Sequence, residues 1–329
     1  MAARASAQIA GVDGCKAGWI AVILQPDSPA RAEAKVFENF TNLAGALNPD
    51  SIIAVDMPIG LPERASKGGR APDWMAKEFL GPRKGSVFLV PSRPAVYAYE
   101  QGYAQVCTVA RETSDPPRAP SIQAYSIFPR IQQLDQMLRQ DDALRRRVFE
   151  VHPEVSFAIM SGEPILEPKK VKGRIHEPGM RCRKALLEKQ GFAVGALEAN
   201  LPCGAALDDF YDACACAWSG ARVFEQEERV FPSEPGIDAK GLQVAIRARG
   251  WRGRERRRFS AARSSLFIAD VRATLRPACR SLSPCRARFG HSDGPDPKKF
   301  AYTFGHYAEI MNHFTDAWAL SLHPLYAGL

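Results

Sequence analysis

Four aspartates stand where they can do chemistry. Asp13 ends an apolar run in GVDGCKAGW, and Asp56 ends a second in SIIAVD. Asp209 and Asp212 lie three apart in LDDFYDACACAW, a spacing that puts both on one face of a helix. Carboxylates that converge closely repel one another unless a cation sits among them. Hard divalent ions such as Mg²⁺ or Mn²⁺ are held by carboxylate oxygens, water and phosphate. Two such ions roughly 3.5–4 Å apart activate a water and stabilise the leaving oxygen of a phosphodiester. Each residue also has an ordinary reading. An aspartate after a strand serves a turn, Asp208 is placed to cap its helix, and Asp209 suits the positive end of the helix dipole. As a set, at two strand ends and on one late helix, Asp13, Asp56, Asp209 and Asp212 read as a metal site.

FEVHPE adds Glu150 and His152, which share one face if the segment is a strand. Glu150 reads as a fifth carboxylate for the same centre. His152 reads as a general base or water-orienting group, with a hydrogen-bonded structural role as its alternative. Two basic groups flank these motifs: Arg70, Lys77, Arg83, Lys84 and Arg93, and then Lys169, Lys170, Lys172, Arg174, Arg181 and Arg183. Either group suits phosphate contact or an ordinary solvated face. GVDGCKAGW is not a Gly-x-Gly-x-x-Gly fingerprint, and neither a Walker-type phosphate loop nor a Gly-x-Ser-x-Gly elbow occurs.

To converge, the aspartates need particular elements beneath them. QIAGVD and WIAVIL, on either side of a Gly-containing turn, predict a hairpin. A shorter third strand is expected over residues 33–39. FTNLAGALN then predicts a helix, with Thr41 as its N-cap. Residues 51–55 are continuously apolar, as a central strand covered on both faces should be, and Pro58 and Pro62 stop regular structure. Residues 70–80, 95–113, 121–141 and 207–226 read as helical, as does RKALLEKQGF with Gly191 at its C-terminal cap. SVFLV reads as a strand or buried segment, and RRVFEVHPE as a strand ending near Glu150 to His152. RVFPSEPG and LQVAIRA close the domain. If the first and fourth strands are parallel neighbours, Asp13 and Asp56 emerge side by side at the carboxyl edge, where open α/β sheets bind ligands. A late helix rich in small residues approaches that sheet closely and brings Asp209 and Asp212 opposite them.

Composition bounds the rest. The chain has 329 residues, 46% hydrophobic and 24% charged, as expected of a globular protein. No run of about 18 apolar residues predicts a membrane span, and the stretch before Gln8 lacks the apolar core of a signal peptide, which points to the cytoplasm. The eight cysteines form no Cys-x-x-Cys pair and no zinc-type grouping, so they read as buried apolar groups or free thiols. The formal charge of +8 is uneven. Residues 247–329 hold 15 Lys/Arg against 6 Asp/Glu, leaving 29 against 30 in residues 1–246. The basic character is therefore no nucleic-acid footprint of the main domain. Two regions are expected: a domain over 1–246 and a basic, irregular tail over 247–329. A flexible tail, a nucleic-acid-binding arm and a shifted reading frame of a GC-rich gene all yield the tail's composition.

Five segments carry a resemblance: GVDGCKAGWIAV, AVDMPIGLPE, KGSVFLVPSRPAVY, FEVHPEVSF and DDFYDACACAW. Together, over about residues 8–246, they resemble the domain-of-unknown-function family 429. The Asp-x-x-Asp-Ala pattern at 209–213 is also similar to the last-helix motif of RuvC-type Holliday-junction resolvases. The resemblance implies an α/β, RNase H-like fold: a mixed five-stranded sheet of three antiparallel and then two parallel strands, flanked by helices. It implies acidic residues from the first strand, the fourth strand and the last helix, here Asp13, Asp56, and Asp209 with Asp212. It further implies a nuclease that uses Mg²⁺ or Mn²⁺ and has nucleic acid as partner, working by two-metal-ion hydrolysis. A non-catalytic nucleic-acid-binding or regulatory protein on the same fold is the alternative, slightly favoured by the near-neutral domain. An ATP-using relative of the actin and sugar-kinase fold needs a second such domain and a second phosphate loop, and residues 1–246 show neither.

Overall fold

Strand β1, Ile9–Cys15, and strand β2, Gly18–Gln25, form the expected hairpin, with Ile9 opposite Leu24 and Cys15 opposite Gly18. Gly18 makes the turn at φ +127°, where a side chain would strike the Phe37 carbonyl. The computed structural model describes residues 7–26, 28–226 and 228–249. Strand β3, Ser28–Phe37, pairs antiparallel with β2. Strand β4, Ile52–Val55, runs parallel to β1 with Val12 beside Val55. Strand β5, Val148–Glu150, runs parallel to β4 with Val55 beside Glu150. The order β3-β2-β1-β4-β5 is the mixed sheet expected: three antiparallel strands, then two parallel ones.

The central strands are apolar on both faces because both faces are covered. On one side Ile9, Ile20 and Val22 pack with Phe210, Ala213 and Ala217 of the last helix, Leu207–Glu225. On the other, Ala10, Val12, Trp19 and Ile53 pack with Phe40, Phe128, Ile131 and Leu134. The last helix lies unusually close to the sheet. A Cβ on Gly11 would sit 2.0 Å from the Ala217 nitrogen and 2.1 Å from the Ala213 carbonyl oxygen. The small residues of DACACA make that approach possible, as their composition predicts.

Several local expectations shift. The helix Phe40–Gly45 is capped by Asn39, which accepts from the Asn42 N–H at 2.9 Å, and Thr41 lies inside it. The helix expected over 95–113 is two pieces, Arg93–Tyr97 and Tyr103–Glu112, because Gly102 between them takes φ +88°. The one expected over 121–141 divides into Ile122–Ser126 and Phe128–Gln140, with Pro129 opening the second. SVFLV is irregular, with Val87 and Val90 buried. Helix Glu177–Lys189 is followed by Gly191 at φ +92°.

The last two segments pair as an antiparallel ribbon, Glu228–Ile237 with Gln243–Arg249. Val151, just beyond β5, bridges Arg247, so the ribbon covers the open edge of the sheet. The strand passes the expected boundary at 246: Arg247 lies over the Phe149 ring at 4.4 Å, and Ala248 is buried. The remainder of the basic tail lies outside the described residues, and with it the three readings of its composition. Among the described residues Cys15, Cys107, Cys182, Cys203, Cys214 and Cys216 are free thiols, and no helix is long and apolar enough to cross a membrane.

Candidate metal centre

The parallel ladder of β1 and β4 continues one rung past the strand end: the Asp56 N–H donates to the Val12 carbonyl at 2.8 Å. Asp13 and Asp56 therefore leave the sheet side by side at its carboxyl edge. Asp13 also accepts from the Gly14 N–H at 2.6 Å. Asp212 reaches them from the last helix, which the Gly11 contact holds against β1. One carboxylate oxygen from each of Asp13, Asp56 and Asp212 lies within 4.8 Å of the other two, a grouping that could hold a metal ion. Asp212 is 1% exposed, and Asp13 and Asp56 are half-buried.

The three charges oppose one another. Burial raises the pKa of Asp13 well above the carboxylate range, and the Asp56 and Asp212 charges push it further. Asp56 is raised likewise, by burial and then by Asp212. Burial pushes Asp212 up to about 6, against the pull of Lys169. A cation would relieve all three. A second, independent feature points the same way: Asp212 Oδ1 is buried with no hydrogen-bond partner. A buried unpaired oxygen is costly, and an ion at the centre would satisfy it.

Other candidates are engaged elsewhere. Asp209 turns back to the helix start and accepts from the Ala206 N–H at 3.2 Å. That orphan N–H competes for it, so the i,i+3 spacing does not carry Asp209 into the group with Asp212. Ala206 holds the N-cap position expected for Asp208. Asp208 is buried instead, with the Lys170 ammonium at 2.5 Å. Glu150 forms a bidentate pair with Arg70 at 2.6 and 3.0 Å and accepts from the Ile59 N–H at 2.7 Å. Arg70 also grips Asp73 and the carbonyls of Ile59 and Gly60, so this cluster pins the PIGLP loop. His152 is half-buried, with Nδ1 unpaired and its pKa lowered by burial. Among the described residues no hydrogen bond joins it to the three aspartates.

Lys169, which the sequence offers only as a phosphate contact or a solvated lysine, joins the centre instead. Its ammonium contacts Asp212 Oδ2 and lies 4.0 Å from Asp208. Burial opposes its charge, but Asp212, Asp13 and Asp56 outweigh that and hold its pKa above the ordinary lysine value. A basic run is the only sequence signal, and 43 residues separate the pair. Three arginines of the same basic groups are buried in ion pairs rather than solvated. Arg70 is one. Arg93 meets Glu63, Asp135 and Asp238, and Arg183 meets Glu154 at 2.6 and 2.8 Å. Lys170, Lys172 and Arg174 stay exposed on a short hairpin beside Lys169.

The family model described as "Protein of unknown function (DUF429)" matches residues 11–236, which include all three aspartates and Lys169. The chain belongs to that family. No curated protein and no solved structure matches it.

Proposed function

We propose that this member of the DUF429 family is a metal-dependent phosphodiesterase that acts on nucleic acid. The observation that carries this reading is the convergence of Asp13, Asp56 and Asp212 at the carboxyl edge of the sheet, with one buried oxygen unpaired. The donors are all carboxylate oxygens, which suits Mg²⁺ or Mn²⁺ rather than a softer metal. When bound, such an ion acidifies a water and draws charge from a phosphate oxygen.

The chain's own residues supply the rest. In hydrolysis the water oxygen bonds to phosphorus and the bond to the leaving sugar oxygen breaks. One water proton passes to a base, and the leaving oxygen takes up a proton from solvent. His152 is the proposed base, since burial keeps its imidazole neutral and able to accept a proton. The exposed Lys172 and Arg174 offer charges to a polyanionic backbone. Asp209 and Glu150 support the centre from outside it, one by capping the helix that bears Asp212, the other by holding the loop after Asp56.

The test is an assay of the full-length chain on single-stranded, duplex and branched nucleic acids in Mn²⁺, beside Asp13→Asn and Asp212→Asn. Cleavage by the wild type, reduced on the order of 100-fold or more in both variants, is expected. Cleavage that survives undiminished in both would remove the activity from this centre. Binding in Mn²⁺ without cleavage would favour the non-catalytic reading.

A further inference from the structure

We propose that Lys169 takes the place of a second metal ion, so that the centre accepts one divalent cation beside a built-in ammonium. This deepens the reading above and rests on the three aspartates being a metal site.

Placement comes first. In a two-ion centre a shared carboxylate offers one oxygen to each ion. Here Asp212 gives Oδ2 to the Lys169 ammonium, while Oδ1 is buried and unpaired. One oxygen is taken by a cation the chain itself supplies, and one is left for an ion from solution.

Ligand supply agrees. Seven acidic residues cluster around this edge, and four are engaged elsewhere: Glu150 by Arg70, Glu154 by Arg183, Asp208 through Oδ2 by Lys170, and Asp209 by the Ala206 N–H. Three carboxylates remain, with a formal charge of −3. One ammonium and one divalent ion neutralise them. A second divalent ion would leave a surplus of two positive charges with no further carboxylate to meet it.

Lys169 is also held in place, unlike a loose surface lysine. Behind it, the Pro168 carbonyl lies 2.0 Å from where a Gly179 Cβ would stand, so the chain rests directly on the helix Glu177–Lys189. The Glu167 carbonyl accepts from Arg183 at 3.0 Å, and Arg183 is itself locked to Glu154. Ahead of it, the hairpin closes with the His176 N–H donating to the Lys169 carbonyl at 2.9 Å. The backbone on both sides of Lys169 is thus fixed, and its ammonium stands at the centre on Asp212 Oδ2.

The experiment is Mn²⁺ titration of the full-length chain by calorimetry, with electron paramagnetic resonance of the loaded samples. It compares wild type, Asp13→Asn, Lys169→Arg and two neutral variants, Lys169→Met and Lys169→Gln, with circular dichroism to confirm folding. One ion per wild-type chain is expected, lost in Asp13→Asn and retained in Lys169→Arg. The neutral variants should take two ions and show the exchange-coupled signal of neighbouring Mn²⁺. Two coupled ions in the wild type would overturn this inference and leave the metal site standing. No ion in the wild type or in any lysine variant would overturn both. A single ion of unchanged affinity in folded neutral variants would show that Lys169 holds no ion's place.

Discussion

Asp212 has two unequal oxygens, one on Lys169 and one on nothing, and Asp13 and Asp56, grouped with it, are also held above their ordinary pKa. That has a consequence for pH. Asp212 titrates near 6 in the folded chain, against roughly 4 when unfolded. Between those values the native state holds a proton the unfolded chain has lost, so this group's contribution to stability falls as pH rises through the window. Asp13 and Asp56 act with the same sign. Without divalent ions the wild type should therefore lose, between about pH 4 and 7, on the order of 2 kcal/mol of stability that Asp13→Asn retains in part. Thermal melts in chelator, run for both proteins across that range, measure it. Mn²⁺ should reverse the trend in the wild type, because the ion favours the ionised carboxylates. Equal slopes for both proteins would mean that the three carboxylates do not repel one another.

At the scale of elements, the centre exists because one helix rests on one strand without a side chain between them. Gly11→Ala puts a methyl group within 2.1 Å of helix backbone atoms, which cannot rotate away. We expect a loss of about 1–3 kcal/mol or more in urea denaturation, together with weaker Mn²⁺ binding as Asp212 is lifted from its partners. The loop after Asp56 depends on a different contact. Arg70→Met strands Glu150 and Asp73 as buried charges, and should cost about 3–5 kcal/mol. Glu150→Gln should lower stability by less and leave Mn²⁺ affinity unchanged, measured by calorimetry. A marked fall in affinity in that variant would restore Glu150 as a ligand.

Over the whole molecule, the closing ribbon joins parts far apart in the chain. Leu242, Ala245, Ile246 and Ala248 are buried. Asp238 accepts from the Leu61 N–H at 3.0 Å and pairs with Arg93. The ribbon thus supports both the sheet edge and the PIGLP loop. We propose that the folded domain extends to Arg249 and that the remainder of the chain is dispensable for folding. A chain ended after 249 should melt cooperatively and bind Mn²⁺ as the full length does. One ended after 242 should not, because it loses the strand Gln243–Arg249. Equal melts for the two would remove that strand from the folding unit.

The family resemblance implied the five-stranded sheet; the hairpin, the central fourth strand and the last helix were legible in the residues themselves. Each is specified by neighbours in the chain: apolar runs, turn glycines and a stretch of small residues. The two strand-end aspartates follow from them, since a parallel register of β1 and β4 leaves Asp13 and Asp56 no other place to emerge. Tertiary structure alone decided which other charges join. Spacing puts Asp209 and Asp212 on one helix face, but the orientation of that helix, set where it touches Gly11 and where Gly220 meets Ile9 and Ala54, selects Asp212. Lys169 with Asp212, Lys170 with Asp208, and Arg70 with Glu150 are pairs about 40 to 80 residues apart. A charged residue looks the same in sequence whether it faces water or a buried partner. Only the packed chain, which removes water from some charges and leaves it to others, tells them apart.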